Sequence, residues 1–180
     1  MQSKNLLTAR GLLASVIPLL LMGCAHSASP GVLNRFQQTG PLAYKGGATT
    51  TCLPAAPGEA VTWADVGVGN QDPNLRFTVT SAVLVSPTPG LETAGVGVLD
   101  SPGGLASGAP FRTKSRHLLP LPQSAGGPGL VLAFGVRAES VGDYTASSVR
   151  IQYRVSDQDY SVVYPNGIRL HVSRAHMPCT

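Results

Sequence analysis

Apolar and polar residues alternate along much of the chain after residue 60. In the stretch 75–85 (LRFTVTSAVLV), apolar Leu75, Phe77 and Val79 alternate with polar side chains. An alternation of period two is typical of a strand with one face buried. The same reasoning predicts strands over 60–68, 75–85, 91–99, 117–121, 129–138, 144–155, 160–164 and 168–173.

Turn signals separate these runs. Pro57-Gly58 precedes the first of them, Asp157-Gln158 predicts a tight turn, and Pro165-Asn166-Gly167 predicts a second hairpin. Seven or eight short strands with turns at such spacing predict an all-β domain, a single immunoglobulin-like β-sandwich over residues 51–180. Its expected core includes these residues: Trp63, Val149, Ile151, Tyr153 and Val155.

Composition agrees with this prediction. The 180 residues include 21 Gly and 15 Pro, which interrupt helices and favour turns. A content this high can also indicate disorder. The 43% of hydrophobic residues and the alternating runs favour a folded domain instead.

The first 23 residues have the pattern of an export signal. Lys4 and Arg10 precede an apolar stretch of about a dozen residues, whereas crossing a bilayer takes roughly 20. A secretory signal peptide typically has a charged start, a short apolar middle and a small residue before the cleavage site. The sequence therefore predicts a signal peptide over residues 1–23. Residues 24–50 are rich in Ala, Ser, Gly, Pro and Thr, which predicts a flexible linker.

The end of this signal, Leu21-Met22-Gly23-Cys24, resembles the lipobox of bacterial lipoproteins. The resemblance implies that Cys24 is lipidated and becomes the first residue of the mature protein. We therefore expect a membrane-anchored lipoprotein on the extracytoplasmic face of the cell membrane. The alternative is an ordinary secretory signal with Cys24 there by coincidence.

Two cysteines remain once Cys24 is set aside. Cys52 precedes the first predicted strand and Cys179 is the penultimate residue. In an oxidising compartment such a pair is expected to form a disulfide, here one that joins the start of the domain to its end. The alternative makes Cys179 a free thiol or a metal ligand.

A wider resemblance rests on four segments in order: PGE at 57–59, FTVTSAVLV at 77–85, GLVLAFGVR at 129–137 and VRIQYRV…YPNGIRLHV over 149–172. Together they resemble small exported proteins of high-GC Gram-positive bacteria that are thought to be immunoglobulin-like. The resemblance implies a fold and no catalytic or binding residue.

Candidate chemistry is sparse. Without Lys4 and Arg10 the 13 basic residues fall to 11, against 9 acidic ones, so nucleic-acid binding has no electrostatic basis. The four histidines show no metal-site spacing and no nucleophile-elbow motif is present, so we expect no enzyme, no catalytic residue and no cofactor. The alternative function is copper handling through His176 and Met177, whose donors suit that metal.

Residues 100–128 form the longest segment without clear periodicity, and such segments are either functional or unstructured. This segment carries the densest positive patch in the chain. Its residues are Phe111, Arg112, Lys114, Arg116 and His117. We expect a non-enzymatic binding or interaction module whose 100–128 loop contacts an envelope protein or an anionic cell-wall polymer. The alternative is a solvated linker between sheets.

Overall fold

Strands account for all the regular secondary structure that the computed structural model describes. The predicted signal peptide, Cys24 and most of the predicted linker lie outside the described residues, which belong to the unit Val32–Thr180. The described residues are 40–42, 48–70, 72, 74–101, 104–127 and 129–179. The strands are β1 (Thr49–Ala55), β2 (Val61–Gly69), β3 (Phe77–Val85), β4 (Glu92–Leu99), β5 (Leu118–Pro120), β6 (Gln123–Ala125), β7 (Gly129–Arg137), β8 (Gly142–Ala146), β9 (Ser148–Val155), β10 (Gln158–Tyr164) and β11 (Asn166–Val172).

These strands form three sheets around one apolar core. Two have four strands, in the orders β10-β9-β3-β6 and β2-β7-β4-β5, and the third has the order β1-β11-β8. Only β1 and β11 pair in parallel among these ladders. The all-β sandwich is thus confirmed, with more strands than the seven or eight predicted; the immunoglobulin-like assignment stays a prediction.

A bent hairpin links two of the sheets. β8 and β9 are separated by one residue, Ser147, and β10 and β11 by one residue, Pro165. In the half formed by β9 and β10, β9 pairs with β3. In the half formed by β8 and β11, β11 pairs with β1. The predicted hairpin turn at Pro165-Asn166-Gly167 is therefore wrong, because the chain stays extended there and passes from one sheet to the next. The reversal near Asp157 is confirmed, since Ser156 and Asp157 join β9 to β10.

Alternate residues of the strands fill the core. The predicted core residues Trp63, Val149, Ile151 and Tyr153 are fully buried, and Val155 packs against them partly buried. Their aromatic rings also meet rings of neighbouring strands, as where the Trp63 and Phe134 centroids lie 5.6 Å apart. Period-two burial of this kind is what the alternation in the sequence predicts.

The folded part starts before the predicted boundary at residue 51. Leu42 is fully buried in the core, and its backbone N–H donates to the Tyr153 hydroxyl at 3.4 Å. A Cβ at Gly40 would lie 2.7 Å from Cδ1 of Tyr160, so only glycine fits at this approach. Burial raises the pKa of Tyr153, more than the Leu42 hydrogen bond lowers it. The described residues 40–42 of the predicted linker are therefore packed into the domain.

The predicted disulfide is confirmed. Cys52 and Cys179 are bonded; their Cα atoms lie 6.0 Å apart and the two residues are separated by 127 in sequence. The bond ties β1 to the tail after β11, where Ser173 N–H also donates to the Ala55 carbonyl at 3.0 Å. Both ends of the domain are thus joined at one place. No helix in the described ranges is long and apolar enough to cross a membrane.

Candidate functional site

The outer face of the sheet β2-β7-β4-β5 is built mostly from very small residues. Side chains alternate across a sheet, so Trp63, Phe134 and Val98 point into the core while their neighbours in sequence point outward. We call this outer surface the glycine face. Its small residues are Ala64, Gly67, Gly69, Gly95, Gly97, Gly129, Ala133 and Gly135.

Residues 104–117, the covering segment, pack on one half of the glycine face. The Phe111 ring lies on two glycines: a Cβ at Gly95 would come within 2.9 Å of its Cε1 atom, and one at Gly135 would overlap the ring. Leu105 and Phe111 join Leu99 and Leu118 in a second, smaller apolar cluster on this side of the sheet. The glycines are needed here because any larger side chain would displace the ring.

Backbone hydrogen bonds hold the covering segment along the edge of β2. The Thr62 N–H donates to the Ala109 carbonyl, the Gly108 N–H to the Thr62 carbonyl and the Phe111 N–H to the Ala60 carbonyl, each at 2.8 Å. The Ser107 hydroxyl accepts from the Ala64 N–H at 3.0 Å. Part of the 100–128 segment thus behaves as an added strand. The described part of the segment also contains β5, which confirms the strand predicted over 117–121, and β6, which was not predicted.

A basic turn follows at residues 112–116. The Ser115 N–H donates to the Arg112 carbonyl at 3.0 Å, and the Leu118 N–H to the Ser115 carbonyl at 3.1 Å, which fixes the turn against β5. Arg112, Lys114 and Arg116 are exposed. Across the described residues, no carboxylate lies within 4.0 Å of these three cations. These three side chains form no ion pair with a described residue, unlike Arg137, Arg154 and Arg169 elsewhere on the surface.

His117 follows the basic turn, and its side chain contacts Asp100, the residue after β4. Its Nδ1 lies 3.3 Å from Oδ1 of Asp100, and its Nε2 accepts from the Arg116 Nε–H at 3.1 Å. With Nε2 as the acceptor, a neutral His117 ring carries its proton on Nδ1, which faces Asp100. The Ser101 hydroxyl binds Asp100 rather than His117. The residue types are those of a hydrolytic triad, but the connections are not, because Arg116 stands where a nucleophile would have to be.

None of the described residues covers the other half of the glycine face, which forms a groove of about 510 Å³. Gly67 and Gly69 are exposed, and a Cβ on either would meet no atom within 4 Å. We call this the open groove. It is lined by Gly67, Val68, Gly69, Leu99, Asp100, Ser101, Gly129, Leu130 and Val131.

The glycine face and the open groove were not predicted from the sequence. The signal was present in VGVG at 66–69 and GVGVL at 95–99, where glycine falls at every second position. In a strand this spacing puts the glycines on one face and the valines on the other. Of the predicted interaction residues, the structure exposes Arg112, Lys114 and Arg116, half-buries His117 in a pair with Asp100, and turns Phe111 inward as a packing residue.

The other described histidines also pair with carboxylates. His171 Nδ1 lies 2.9 Å from Asp143, which also binds Arg169, and these two hydrogen bonds lower the pKa of Asp143, Arg169 contributing most. His176 Nε2 lies 2.8 Å from Glu59.

His176 and Met177, the donors of the copper-handling alternative, have different neighbours in the structure. The Glu59 contact occupies one ring nitrogen of His176, and Met177 lies beside Val141 and Ala175 in a shallow apolar depression. In the part of the chain that the structure describes, no group of three or more His, Cys, Asp or Glu side chains could hold a metal ion.

Comparison with known proteins adds no relative to this description. No protein-family model matches the chain, and no curated protein sequence is similar to it.

Proposed function

We propose that this protein is a membrane-anchored, extracytoplasmic lipoprotein that acts as a non-enzymatic binding module, and that its basic turn contacts an acidic surface of a partner protein. The observation that carries the proposal is the set of three exposed cations without a carboxylate within 4.0 Å among the described residues. Uncompensated charge held at fixed positions supports recognition of the opposite charge, because it attracts a partner and fixes its orientation.

The way the turn is held supports a protein partner over a cell-wall polymer. Phe111 is packed on the glycine face immediately before the turn, and Leu118 is buried immediately after it. A turn fixed at both ends loses little conformational freedom on binding, which favours a surface of defined shape. A flexible polyanion needs charge density alone and gains little from a fixed geometry.

The place of action follows from the lipobox resemblance at Cys24, and lipidation there is part of the proposal. The confirmed Cys52–Cys179 disulfide supports export, since disulfides persist in oxidising compartments. A lipid at Cys24 would hold the domain at the membrane, within reach of other envelope proteins.

The test is photocrosslinking of the full chain in its own membrane. A photoreactive amino acid in place of Lys114 should give a discrete protein adduct, and the same amino acid in place of Arg150, an exposed residue of β9, should not. Charge reversal by Arg112→Glu and Arg116→Glu should abolish the adduct. The matched control is Arg76→Glu with Arg174→Glu, which changes the net charge equally and should leave the adduct intact.

Two results would overturn the proposal. Equal adducts from positions 114 and 150 would mean that the basic turn is not a preferred contact. A protease-resistant, polydisperse adduct at position 114 would identify an anionic polymer as the partner and exclude the acidic protein surface.

A further inference from the structure

His117 lies between a cation of the basic turn and a carboxylate at the end of β4. Its Nε2 accepts from the Arg116 Nε–H at 3.1 Å, and its Nδ1 lies 3.3 Å from Oδ1 of Asp100. The side chains of His117 and Asp100 are 34% and 36% exposed, so protons reach them from the solvent. The imidazole thus connects two charged groups and is itself open to titration.

The contact with Arg116 depends on a neutral His117 ring. Arginine carries five N–H donors and no acceptor, and it stays charged in proteins. Nε2 must therefore supply a lone pair, which it has when the single ring proton is on Nδ1. A protonated imidazole has a hydrogen on both nitrogens, so Nε2 would face the Arg116 Nε–H as a second donor of like charge. The attraction between the two side chains then becomes repulsion.

The contact with Asp100 changes in the opposite direction. Nδ1 carries a hydrogen in both protonation states, and a positive ring would convert its contact with the carboxylate into an ion pair. The backbone of His117 is held in either state. Its carbonyl accepts from the Asp100 N–H at 3.1 Å, and its N–H donates to the Ser115 hydroxyl at 3.3 Å. Protonation therefore displaces the Arg116 side chain and leaves His117 in place.

The elements around the ring bring it charges of both signs. Among the described residues, Asp100 supplies the negative charge and the three cations of the basic turn supply the positive charge. Residues 104–111 of the covering segment and the strand β5 contain no charged residue. On β4 and β7 the charged residues are Glu92 and Arg137, which pair with each other at the other end of these strands. The balance between Asp100 and the basic turn is therefore what a proton on His117 changes.

We propose that His117 is a proton-operated switch of the basic turn. In the neutral state the ring holds the Arg116 guanidinium; in the protonated state it releases Arg116 to the solvent and cancels the charge of Asp100. Both changes make the turn more attractive to an acidic surface, because a cation is freed and a nearby negative charge is neutralised. The inference rests on the proposed function and names its regulation: the partner binds more tightly in a mildly acidic medium.

Side-chain NMR of the full chain tests the contact itself. We compare about pH 7.5 with about pH 5.5, on either side of the usual charge change of histidine. At the higher pH the Arg116 Nε–H should exchange with water more slowly than that of exposed Arg150, and at the lower pH the two should exchange equally fast. Arg150 serves as the internal reference because both groups have the same intrinsic pH dependence of exchange.

The matched variants are His117→Gln and His171→Gln. A glutamine at position 117 accepts from Arg116 through its amide oxygen and does not titrate, so the slow exchange of Arg116 should persist at both pH values. His171 also faces a carboxylate, at 2.9 Å, and its replacement should leave the wild-type response intact. A ratio of Arg116 to Arg150 exchange that is independent of pH in the wild type would overturn the inference.

A binding measurement tests the consequence for an anion. The probe is sucrose octasulfate, whose charge is constant over this pH range, and binding is read from the backbone amides of residues 112–116. Wild type should bind it about two- to fivefold more tightly at the lower pH, the range that one exposed ion pair supports. His117→Gln should bind it equally at both pH values. Equal affinities in the wild type, or the same ratio in His117→Gln, would also overturn the inference.

Photocrosslinking from position 114 distinguishes failure of this inference from failure of the proposed function. In the wild type the adduct should form in higher yield at the lower pH, and in His117→Gln the yield should not change. An adduct of equal yield at both pH values that is still lost on charge reversal removes the switch and leaves the proposed function standing. No adduct at either pH, with the Arg116 exchange responding as expected, removes the proposed function and leaves the switch.

Discussion

The contact between Phe111 and Gly135 predicts that Gly135→Ala lowers the free energy of unfolding when Phe111 is present and does not lower it when Phe111 is replaced by alanine. Gly135 is buried beneath the Phe111 ring, and an added Cβ would overlap that ring. Full burial of a Phe side chain stabilises by about 1.5–3 kcal/mol, so partly buried Phe111 contributes about half of that. Overpacking costs about 1–3 kcal/mol. Gly135→Ala should therefore lower the free energy of unfolding by about 1–3 kcal/mol.

The same substitution should be harmless once the ring is removed. In a Phe111→Ala chain the new methyl group enters vacated space. The backbone of Gly135 lies outside the left-handed region, so alanine fits there. Replacing glycine at a compatible position stabilises by about 0.4–1 kcal/mol through the unfolded chain. The two mutations should thus couple by about 2–3 kcal/mol, at the upper end for residues in contact.

Urea unfolding measures this coupling directly. Trp63 is the single tryptophan and is fully buried, so its fluorescence reports global unfolding. The control is Gly67→Ala in the same sheet, which should raise the unfolding free energy by no more than about 0.4–1 kcal/mol, because its Cβ would point into open space. An equal cost for Gly135→Ala with and without Phe111 would refute the proposed packing of the covering segment. A change in the m-value would instead indicate a change in the unfolded or native state.

Four further predictions concern the ends and the surface of the domain. Replacing Cys52 and Cys179 by serine should lower the unfolding free energy by about 4–5 kcal/mol on a chain-entropy account, since the bond spans 127 positions; unfolding in urea that is insensitive to reductant would contradict this. Leu42→Ala should cost about 2–5 kcal/mol in the same assay, because the side chain is fully buried, whereas a residue in a free linker would cost nothing measurable. The pKa of Asp143 is lowered in the folded state, so the stabilisation from its ion pair is present above the unfolded pKa near 3.8 and is lost as the pH falls through the folded pKa. The difference in unfolding free energy between wild type and Asp143→Asn, followed by urea unfolding from pH 7 downward, should therefore shrink below pH 3.8. A difference independent of pH would count against the ion pair. Cys24→Ser should release the protein from the membrane fraction on fractionation, and unchanged membrane association would remove the lipid anchor from the proposed function.

The misread strands show where local pattern fails. The predicted strands begin at residue 60 and omit β1, whose sequence TTTCLPA contains Pro54; proline argues against a strand in the middle of a sheet. Among the described strands β1 lies at an edge and pairs with β11, so the missing N–H does no harm. The hairpin turn was predicted at 165–167 from the turn-forming residues Pro165-Asn166-Gly167 themselves. At Pro165 the chain passes from one sheet to the next, beside the equivalent passage at Ser147. The sequence of each segment alone does not indicate that the other lies beside it.

Some properties of this protein were determined by its sequence alone. Alternation of apolar and polar residues determined the all-β class and the buried set around Trp63, since period-two burial is a property of each strand by itself. The pairing of Cys52 with Cys179 followed from arithmetic and compartment, because once Cys24 is assigned to the anchor only one pair remains.

Only the tertiary structure determines which glycines of the glycine face are covered by other side chains. Gly135 and Gly67 occupy the same face of one sheet, yet the first is buried under Phe111 and the second faces open space. The difference depends on where the covering segment crosses the sheet, which is a long-range contact with no periodic signal in sequence. For the same reason, the sequence could predict a positive patch at 112–116 but not that its cations would lie away from every described carboxylate while Phe111 turned inward.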